Sequence, residues 1–474
     1  MSKIKFGTDG WRDIIAENFT FPNVRLVARA IAEYVKESYP SDRPVVIGYD
    51  TRFLARDFAT TVAEVLEGAG IKALLSKRDV PTPVIAFAAK NLNTAGAVMI
   101  TASHNPPQYC GIKYIPDYAG PATKEITDRI VANVERLQKE GKPGEEGHFS
   151  IETFDPMPEY LADLRGKVDF EVIRKANLKV VFDPLYGTGR GYADVLLEEA
   201  GCQVDSIHAF IDPLFGGGMP EPNPRYLGDL RERILKTGAD LGLATDGDAD
   251  RFGVMDEGGN YFTPNQVIAL LLRHLVKNRG AKGSVIRTVA TTHLIDRIAA
   301  HYGLPVHETP VGFKFVGEWM RKEAVVIGGE ESGGLSVLGH IPEKDGILAD
   351  LLVAEMVAVE GKPLSAIWRN LIDEVGFEPA NKRLDLHLTE REKEAVLSSF
   401  QDLPPARFGE LEVTSRENLD GTKFILEDGS WILARPSGTE PIIRIYLEAP
   451  GVNQLNKLEA EVNKLVQSTQ VASR

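Results

Sequence analysis

The sequence predicts an α/β protein built from three related α/β domains with mixed sheets, followed by a smaller C-terminal α+β domain. Three observations lead there. The chain has 474 residues, more than one hydrophobic core serves, so it divides into several domains. A strand–turn–helix–glycine–strand pattern recurs three times along it. After Gly376 that pattern gives way to short alternating strands.

The first repeat is PVVIGYDTRF followed by FATTVAEVLEGAGIKALLS. The second is LKVVFDPLYGTG followed by GYADVLLEEAGCQVDSIHA, and the third is GSVIRTVATTHL followed by IDRIAAHYGLPVHETP. Each reads as a buried apolar strand, a polar turn, an amphipathic helix, a glycine and a second strand, which is a β-α-β unit. The polar, Gly- and Glu-rich run at 139–148 reads as a linker, and Asp256–Gly259 as a second break. The expected domains are therefore 1–148, 149–257, 258–376 and 377–474. In the last, RLDLHLTE, GELEVTSRENLDGTKFIL, SWILARPSG and IIRIYLEA alternate as half-buried antiparallel strands do. Leu455, Leu458, Val462 and Leu465 then fall at the spacing of an amphipathic closing helix.

Composition removes several function classes. Hydrophobic residues are 43% and charged residues 26%, ordinary for a globular soluble protein. No apolar run is long enough for a bilayer, and the N-terminal MSKIKFGTDGWR lacks the apolar core of a secretory signal. A net charge of −14 argues against a nucleic-acid surface. Cys110 and Cys202 are the only cysteines; they form no disulfide framework and have no metal-ligand spacing, so a cytoplasmic setting is expected.

Four glycine-containing polar segments remain, one per expected domain. TASHNPPQYCGIKY (101–114) puts Ser103 just after an apolar strand, with Pro106 and Pro107 holding the turn open. A capped turn is the bland reading. A Ser-His-Asp triad is a second, opposed by the adjacency of His104, since neighbouring side chains on an extended loop diverge. Lys113 could meet a phosphate or move a proton. ATDGDADRFGVMDE (244–257) alternates Asp246, Asp248 and Asp250, carboxylates that converge on one hard cation. It almost fits an EF-hand loop, but Arg251 stands where that loop needs glycine. GGEESGGLSVLGHIPEKDG (328–346) offers Glu330 and Ser332 for sugar hydroxyls, with His340 and Lys344 nearby. Before it, TPVGFKF places Lys314 after a glycine turn. ARPSGTEPIIRIY (434–446) gathers Arg435, Ser437, Gly438, Thr439 and Arg444, groups that cradle phosphate. Together the segments supply a nucleophile, a cation site, a hydroxyl reader and a phosphate clamp. Arg12, Lys113, Arg251, Lys314, Lys344, Arg435 and Arg444 focus positive charge within an acidic protein, as phosphoryl transfer requires.

FGTDGWR, TASHNPP, DGDADR, GEESGG with EKDG, and RPSGTEP run in that order from residue 6 to 446. They resemble the ordered signature of the α-D-phosphohexomutase family, which includes phosphoglucomutases and phosphomannomutases. The resemblance implies a heart-shaped, four-domain enzyme, monomeric or dimeric, acting on phosphorylated hexoses in a central cleft. It implies that Ser103 carries a phosphoryl group that completes a Mg²⁺ site with Asp246, Asp248 and Asp250. Glu330 and Ser332 would hold sugar hydroxyls. Arg435, Ser437, Gly438, Thr439 and Arg444 would grip the non-reacting phosphate. Arg251, Val311, Gly312, Lys314 and Lys344 would line the substrate, and Arg12, His104 and Lys113 would serve the transfer beside Ser103. A hexose 1,6-bisphosphate would be the intermediate and activator.

One departure shifts the expected sugar. Many members carry histidine directly after GExSG, where this chain has Gly334, while HIPEKDG and TPVGFKF resemble phosphoglucomutases. Glucose phosphates are therefore expected ahead of mannose and glucosamine phosphates. A hexose 1,6-bisphosphate synthase on the same scaffold is the alternative reading. A non-enzymatic phosphosugar- or calcium-binding protein is a third, opposed by the intact Ser103 and aspartate triplet.

Overall fold

The computed structural model of the chain describes residues 4–7, 10–141, 147, 149–402, 404–436 and 442–473. Among these residues the strands form four sheets. The first runs, edge to edge, Phe6–Gly7, Gly10–Ile14, Tyr109–Ile115, Ala97–Ile100, Val45–Tyr49, Ala73–Ser76 and Glu152–Phe154. The last of these lies beyond the 139–148 run and pairs parallel with Ala73–Ser76. The second sheet is Tyr261–Phe262, Phe252–Met255, Leu241–Thr245, Lys179–Asp183 and Gln203–Ser206. The third is Val306–Thr309, Ser284–Thr288, Val325–Gly329 and Leu335–Val337. All three mix parallel and antiparallel pairs.

The three sequence repeats become three parallel strand pairs. Val45–Tyr49 pairs with Ala73–Ser76, Lys179–Asp183 with Gln203–Ser206, and Ser284–Thr288 with Val306–Thr309. The helices between them are Ala55–Gly68, Ala193–Glu199 and Leu294–His301. The glycine that recurs after each helix, Gly70, Gly201 and Gly303, has φ of +76°, +85° and +69°. A left-handed residue there reverses the chain into the second strand, and glycine takes that conformation without a Cβ clash.

The fourth sheet is wholly antiparallel: Pro379–His387, Ile442–Pro450, Trp431–Pro436, Thr422–Leu426, Leu411–Glu417 and Arg407–Phe408. Helix Gly451–Ser473 lies on it and buries Leu455, Leu458, Val462 and Val466. Leu465 is only partly buried, so the core stripe turns onto Val466.

One helix joins the second and third units. Gly346–Glu360 is buried on every side from Gly346 to Val357, Asp350 and Glu355 included, as only a helix inside a core can be. It packs on helices Phe170–Ala176 and Ala193–Glu199 and on strand Phe252–Met255. Each large aliphatic side chain it buries contributes roughly 1.5–3 kcal/mol. Asp345 caps its first turn through Leu348 N–H at 2.9 Å. Both cysteines are buried, and no helix among the described residues is long and apolar enough to cross a membrane.

Candidate active site

Strand Ala97–Ile100 hands the chain to a loop at 101–108 before strand Tyr109–Ile115. Ser103 sits in this loop with φ +52°, a conformation costly for a residue with a Cβ. Two devices hold it. Its N–H donates to Thr101 Oγ1 at 2.8 Å. Arg52, three residues past strand Val45–Tyr49, donates to three loop carbonyls, Ser103 and Asn105 at 2.6 Å and Pro106 at 2.8 Å, and to Tyr109 O at the start of the next strand at 3.0 Å. Asp50 orients this guanidinium, accepting from Arg52 Nε at 3.1 Å. Burial pushes the Asp50 carboxyl up to about 6, against the pull of Arg52. Neither residue stands out in the sequence; the signal available is a charged DTR turn directly after an apolar strand.

The turn conformation also corrects one expectation. With Ser103 left-handed, adjacent side chains do not diverge: Ser103 Oγ lies 3.3 Å from His104 Nδ1. Burial, with the charges of Arg251 and Arg12, keeps that imidazole well below its usual range and so neutral. Ser103 Oγ donates to Asp246 Oδ2 at 2.8 Å. Lys113 and Arg12 lie on strands rather than loops, Tyr109–Ile115 and Gly10–Ile14. Arg12 Nη1 donates to Asn105 Oδ1 at 2.9 Å.

The aspartates occupy the hairpin between strands Leu241–Thr245 and Phe252–Met255, flanks that exclude an EF-hand. Asp246, Asp248 and Asp250 are buried, and each offers an oxygen within 4.8 Å of the others'. Asp248 Oδ2 accepts from Thr82 Oγ1 at 2.6 Å and lies 3.2 Å from Lys113 Nζ. Asp250 Oδ2 lies 3.3 Å from Lys344 Nζ and 3.6 Å from Lys113 Nζ. Burial and the two neighbouring carboxylates push Asp246 well up. Burial raises Asp248 too, but Lys113 and the Thr82 hydroxyl outweigh it and hold this carboxyl ionised. Asp248 Oδ1 and Asp250 Oδ1 are buried without a hydrogen-bond partner among the described residues. Stranded carboxylate oxygens are costly unless a cation takes them, and an all-oxygen donor set suits a hard divalent ion.

Beyond the aspartates, Glu330 ends strand Val325–Gly329, and its carboxylate accepts from Gly312 N–H at 2.8 Å. Burial, reinforced by Glu331, raises this carboxyl to about 7. The Arg251 and Lys344 charges act on it, so the Glu330 loop borders the aspartate loop. Ser332 stands two residues on, half-buried. The stem of Lys344 explains Gly334: a Cβ there would lie 2.4 Å from Lys344 Cδ. The space a side chain at 334 would fill is taken by a lysine that reaches Asp250. Lys314 falls in the first turn of helix Phe313–Lys322, its ammonium 5.1 Å from the Phe315 ring centre. His340 lies elsewhere, with Nε2 2.8 Å from Asp345 Oδ2 and Nδ1 2.9 Å from Lys167 Nζ.

In the fourth sheet Arg435 and Arg444 are register partners on adjacent strands. Like charges directly opposite are unfavourable, and a carboxylate lies beside each, Asp420 by Arg435 and Asp385 by Arg444. Asp385, opposite Arg444 on the next strand, offsets part of the charge. Asp420 accepts from Arg435 Nε at 2.7 Å and from Val311 N–H at 2.9 Å, tying the clamp to the 309–315 loop. Nothing in the sequence singles out Asp420 beyond its place at the start of an Asp-Gly turn. Ser437, Gly438 and Thr439 lie outside the described residues. One connected series runs from Ser103 through the aspartates, Lys344, Glu330 and Gly312 to Val311, Asp420 and Arg435.

Known proteins share this fold. The family described as phosphoglucomutase/phosphomannomutase matches in four parts. Its alpha/beta/alpha domain I covers residues 3–141, domain II 158–259, domain III 263–375 and the C-terminal domain 388–465. A phosphoglucomutase/phosphomannomutase of Thermococcus kodakarensis is 35% identical, with 94% of each chain covered. A "Probable phosphoglucosamine mutase" of Methanothermobacter thermautotrophicus is 34% identical over 94% of this chain and 93% of that one. A crystal structure from Thermus thermophilus, named as a phosphomannomutase, superposes with a TM-score of 0.87 at 35% identity, covering 98% of this chain and 99% of that one. Relatives named for glucosamine phosphate stand beside those named for glucose and mannose. The comparisons therefore carry the reaction class and not the order of sugars expected from the motifs.

Proposed function

The chain belongs to the phosphoglucomutase/phosphomannomutase family of phosphotransferring enzymes, and from that premise we propose that it interconverts hexose 1-phosphate and hexose 6-phosphate, glucose first among the sugars. The observation that carries this reading is Ser103 Oγ held 2.8 Å from Asp246, beside two buried carboxylates with oxygens to spare. Ser103 carries the phosphoryl group. The P–Oγ bond breaks as a P–O bond forms to the sugar hydroxyl at C1 or C6. The resulting 1,6-bisphosphate turns round, and its other phosphoryl group returns to Ser103. The proton that the sugar hydroxyl loses passes to Ser103 Oγ as the P–Oγ bond breaks, relayed by the neutral His104 3.3 Å from Oγ, and it travels back when the other phosphoryl group returns. Arg12 stays charged and Lys113 is paired with two carboxylates, so both neutralise phosphate.

Asp246, Asp248 and Asp250 would hold Mg²⁺, which when bound supplies charge neutralisation for the group in flight. Glu330 and Ser332 receive sugar hydroxyls. Arg251, Lys314 and Lys344, with the Val311–Gly312 backbone, line the sugar. Arg435 and Arg444, with Ser437, Gly438 and Thr439, grip whichever phosphate is not reacting. The four units would each contribute one loop, with the first reaching Phe154 and the second Phe262 rather than ending at 148 and 257.

The test presents glucose, mannose and glucosamine 1-phosphates with a trace of the matching bisphosphate and follows products by ³¹P NMR. Intact mass reports the phosphoryl group on wild type and on Ser103→Ala. Conversion to the 6-phosphate, with one phosphoryl group on wild type alone, is expected. Net accumulation of bisphosphate from a separate donor would replace the mutase with the synthase. No phosphoryl adduct would end the covalent scheme.

A further inference from the structure

A cavity of about 360 Å³ lies between the first and second units, apart from the series of site residues. One wall is the segment Lys77–Asp79, which follows strand Ala73–Ser76. The other is Thr188–Tyr192, beyond strand Lys179–Asp183. Both walls leave the C-terminal ends of parallel strands, where ligands of α/β proteins bind. The volume is that of a small-metabolite pocket.

The lining is built and unevenly satisfied. Arg190 Nη2 grips both oxygens of Asp79 at 2.6 and 2.7 Å, and Arg190 Nη1 donates to Gly187 O at 2.6 Å. Arg78 Nη2 donates to Asp155 at 3.0 Å. Tyr192 is 2% exposed, and its hydroxyl has no hydrogen-bond partner among the described residues. Lys77 has no ion-pair partner among them either. Three cations against Asp79 and Asp155 leave a positive pocket in a chain of net charge −14. A stranded buried hydroxyl is destabilising unless a ligand bonds it. The exposed Lys77 ammonium and the half-exposed Arg78, beside the Arg190 guanidinium fixed by Asp79, suit a phosphate.

Each wall also carries the aspartate loop. Three residues past Asp79, Thr82 donates from N–H to Asp248 O at 2.9 Å and from Oγ1 to Asp248 Oδ2 at 2.6 Å. Thr188 donates from N–H to Gly247 O at 3.1 Å and from Oγ1 to the same oxygen at 3.3 Å. A ligand that bridges the walls therefore sets the spacing of the two supports of Asp246–Asp250.

We propose that this cavity is an effector site for a small hydroxyl-bearing phosphate monoester, read by Lys77, Arg78 and Tyr192, whose occupancy acts on the aspartate loop through Thr82 and Thr188. Binding is read without turnover, so failure of this site and failure of the proposed reaction are separate results. Equilibrium dialysis of the full chain with labelled glycerol 3-phosphate, and in a second arm with labelled inorganic phosphate, measures stoichiometry. The wild type should bind one equivalent of glycerol 3-phosphate more than a Lys77→Ala, Tyr192→Phe variant, with Arg78→Ala as an independent second variant. Hydrogen exchange across 245–252 should slow on binding in the wild type and not in the variants. Hexose phosphate turnover should change about fivefold or more on binding, while the variants without probe match wild type. Equal stoichiometry in wild type and variants would overturn the site. Inorganic phosphate bound as tightly as the ester would overturn the ligand class. Binding with exchange and turnover unchanged would overturn the coupling.

Discussion

The proposed reaction end and the proposed clamp end of the site are built in opposite ways. At the reaction end Ser103, Lys113 and all three aspartates are at most 4% exposed. Their loops are pinned from separate parts of the chain. Arg52 holds the serine loop, Thr82 and Thr188 hold the aspartate loop, and Gly346 N–H donates to Ala249 O at 3.1 Å. At the clamp end the Arg435 and Arg444 side chains are 14% and 26% exposed, and a single carboxylate, Asp420, ties Arg435 to its neighbour loop. Bond making tolerates little misplacement, since an error of about 1 Å can cost 10²-fold. A clamp that must take the phosphate of either regioisomer gains from donors that adjust. In the proposed reaction the contrast separates what transfers the phosphoryl group from what reads its carrier.

The largest expected break falls at the pinned end. Ser103→Ala should lower turnover by roughly 10⁴-fold or more with circular dichroism unchanged, and EDTA should silence the wild type. Retained activity in either case would remove the nucleophile or the cation from the account. Next comes Arg52→Met, which strands the buried Asp50 and frees four carbonyls. Breaking a buried pair costs about 3–5 kcal/mol, so the denaturant midpoint should fall, and an added Asp50→Asn should recover part of it. A fall in midpoint without loss of turnover would show that the serine loop keeps its geometry unaided.

How far the sequence reveals the site follows the same division. The three β-α-β repeats are legible because strand period, helix period and the turning glycine are all local. The aspartates are legible because their clustering makes no sense without a cation. Arg52 and Asp420 are not, because their meaning lies in partners 51 and 109 residues away. The approach of His104 to Ser103 hangs on one backbone angle, φ at Ser103, which the sequence does not disclose. The absence of a side chain at 334 reads as a missing histidine in the sequence, and in the structure as room for Lys344.

Two smaller effects sharpen the contrast. The Glu330 carboxyl, raised to about 7 by burial and Glu331, gains its charge as pH rises through that value. Hexose phosphate affinity should therefore rise between pH 6 and 8, up to about tenfold, since a hydrogen bond to a charged group exceeds one to a neutral group by about 1–1.5 kcal/mol. Glu330→Gln should retain only the slope of the substrate's own phosphate; an identical slope in both proteins would discharge Glu330 from sugar binding. Asp420→Asn should release Arg435 and tighten both monophosphates by a few-fold, in line with about 0.2–1 kcal/mol for a part-exposed pair. A loss above tenfold in calorimetric affinity would show a clamp as rigid as the reaction end.

One pair of dissociation constants bears most directly on the shared clamp: those of glucose 1-phosphate and glucose 6-phosphate for Arg435→Ala against wild type. One clamp serving both orientations predicts parallel weakening of the two by roughly tenfold to a hundredfold, the worth of a charge-assisted contact, with Arg435→Lys recovering part of each. A loss confined to one regioisomer would contradict it, because the two orientations would then not share the clamp.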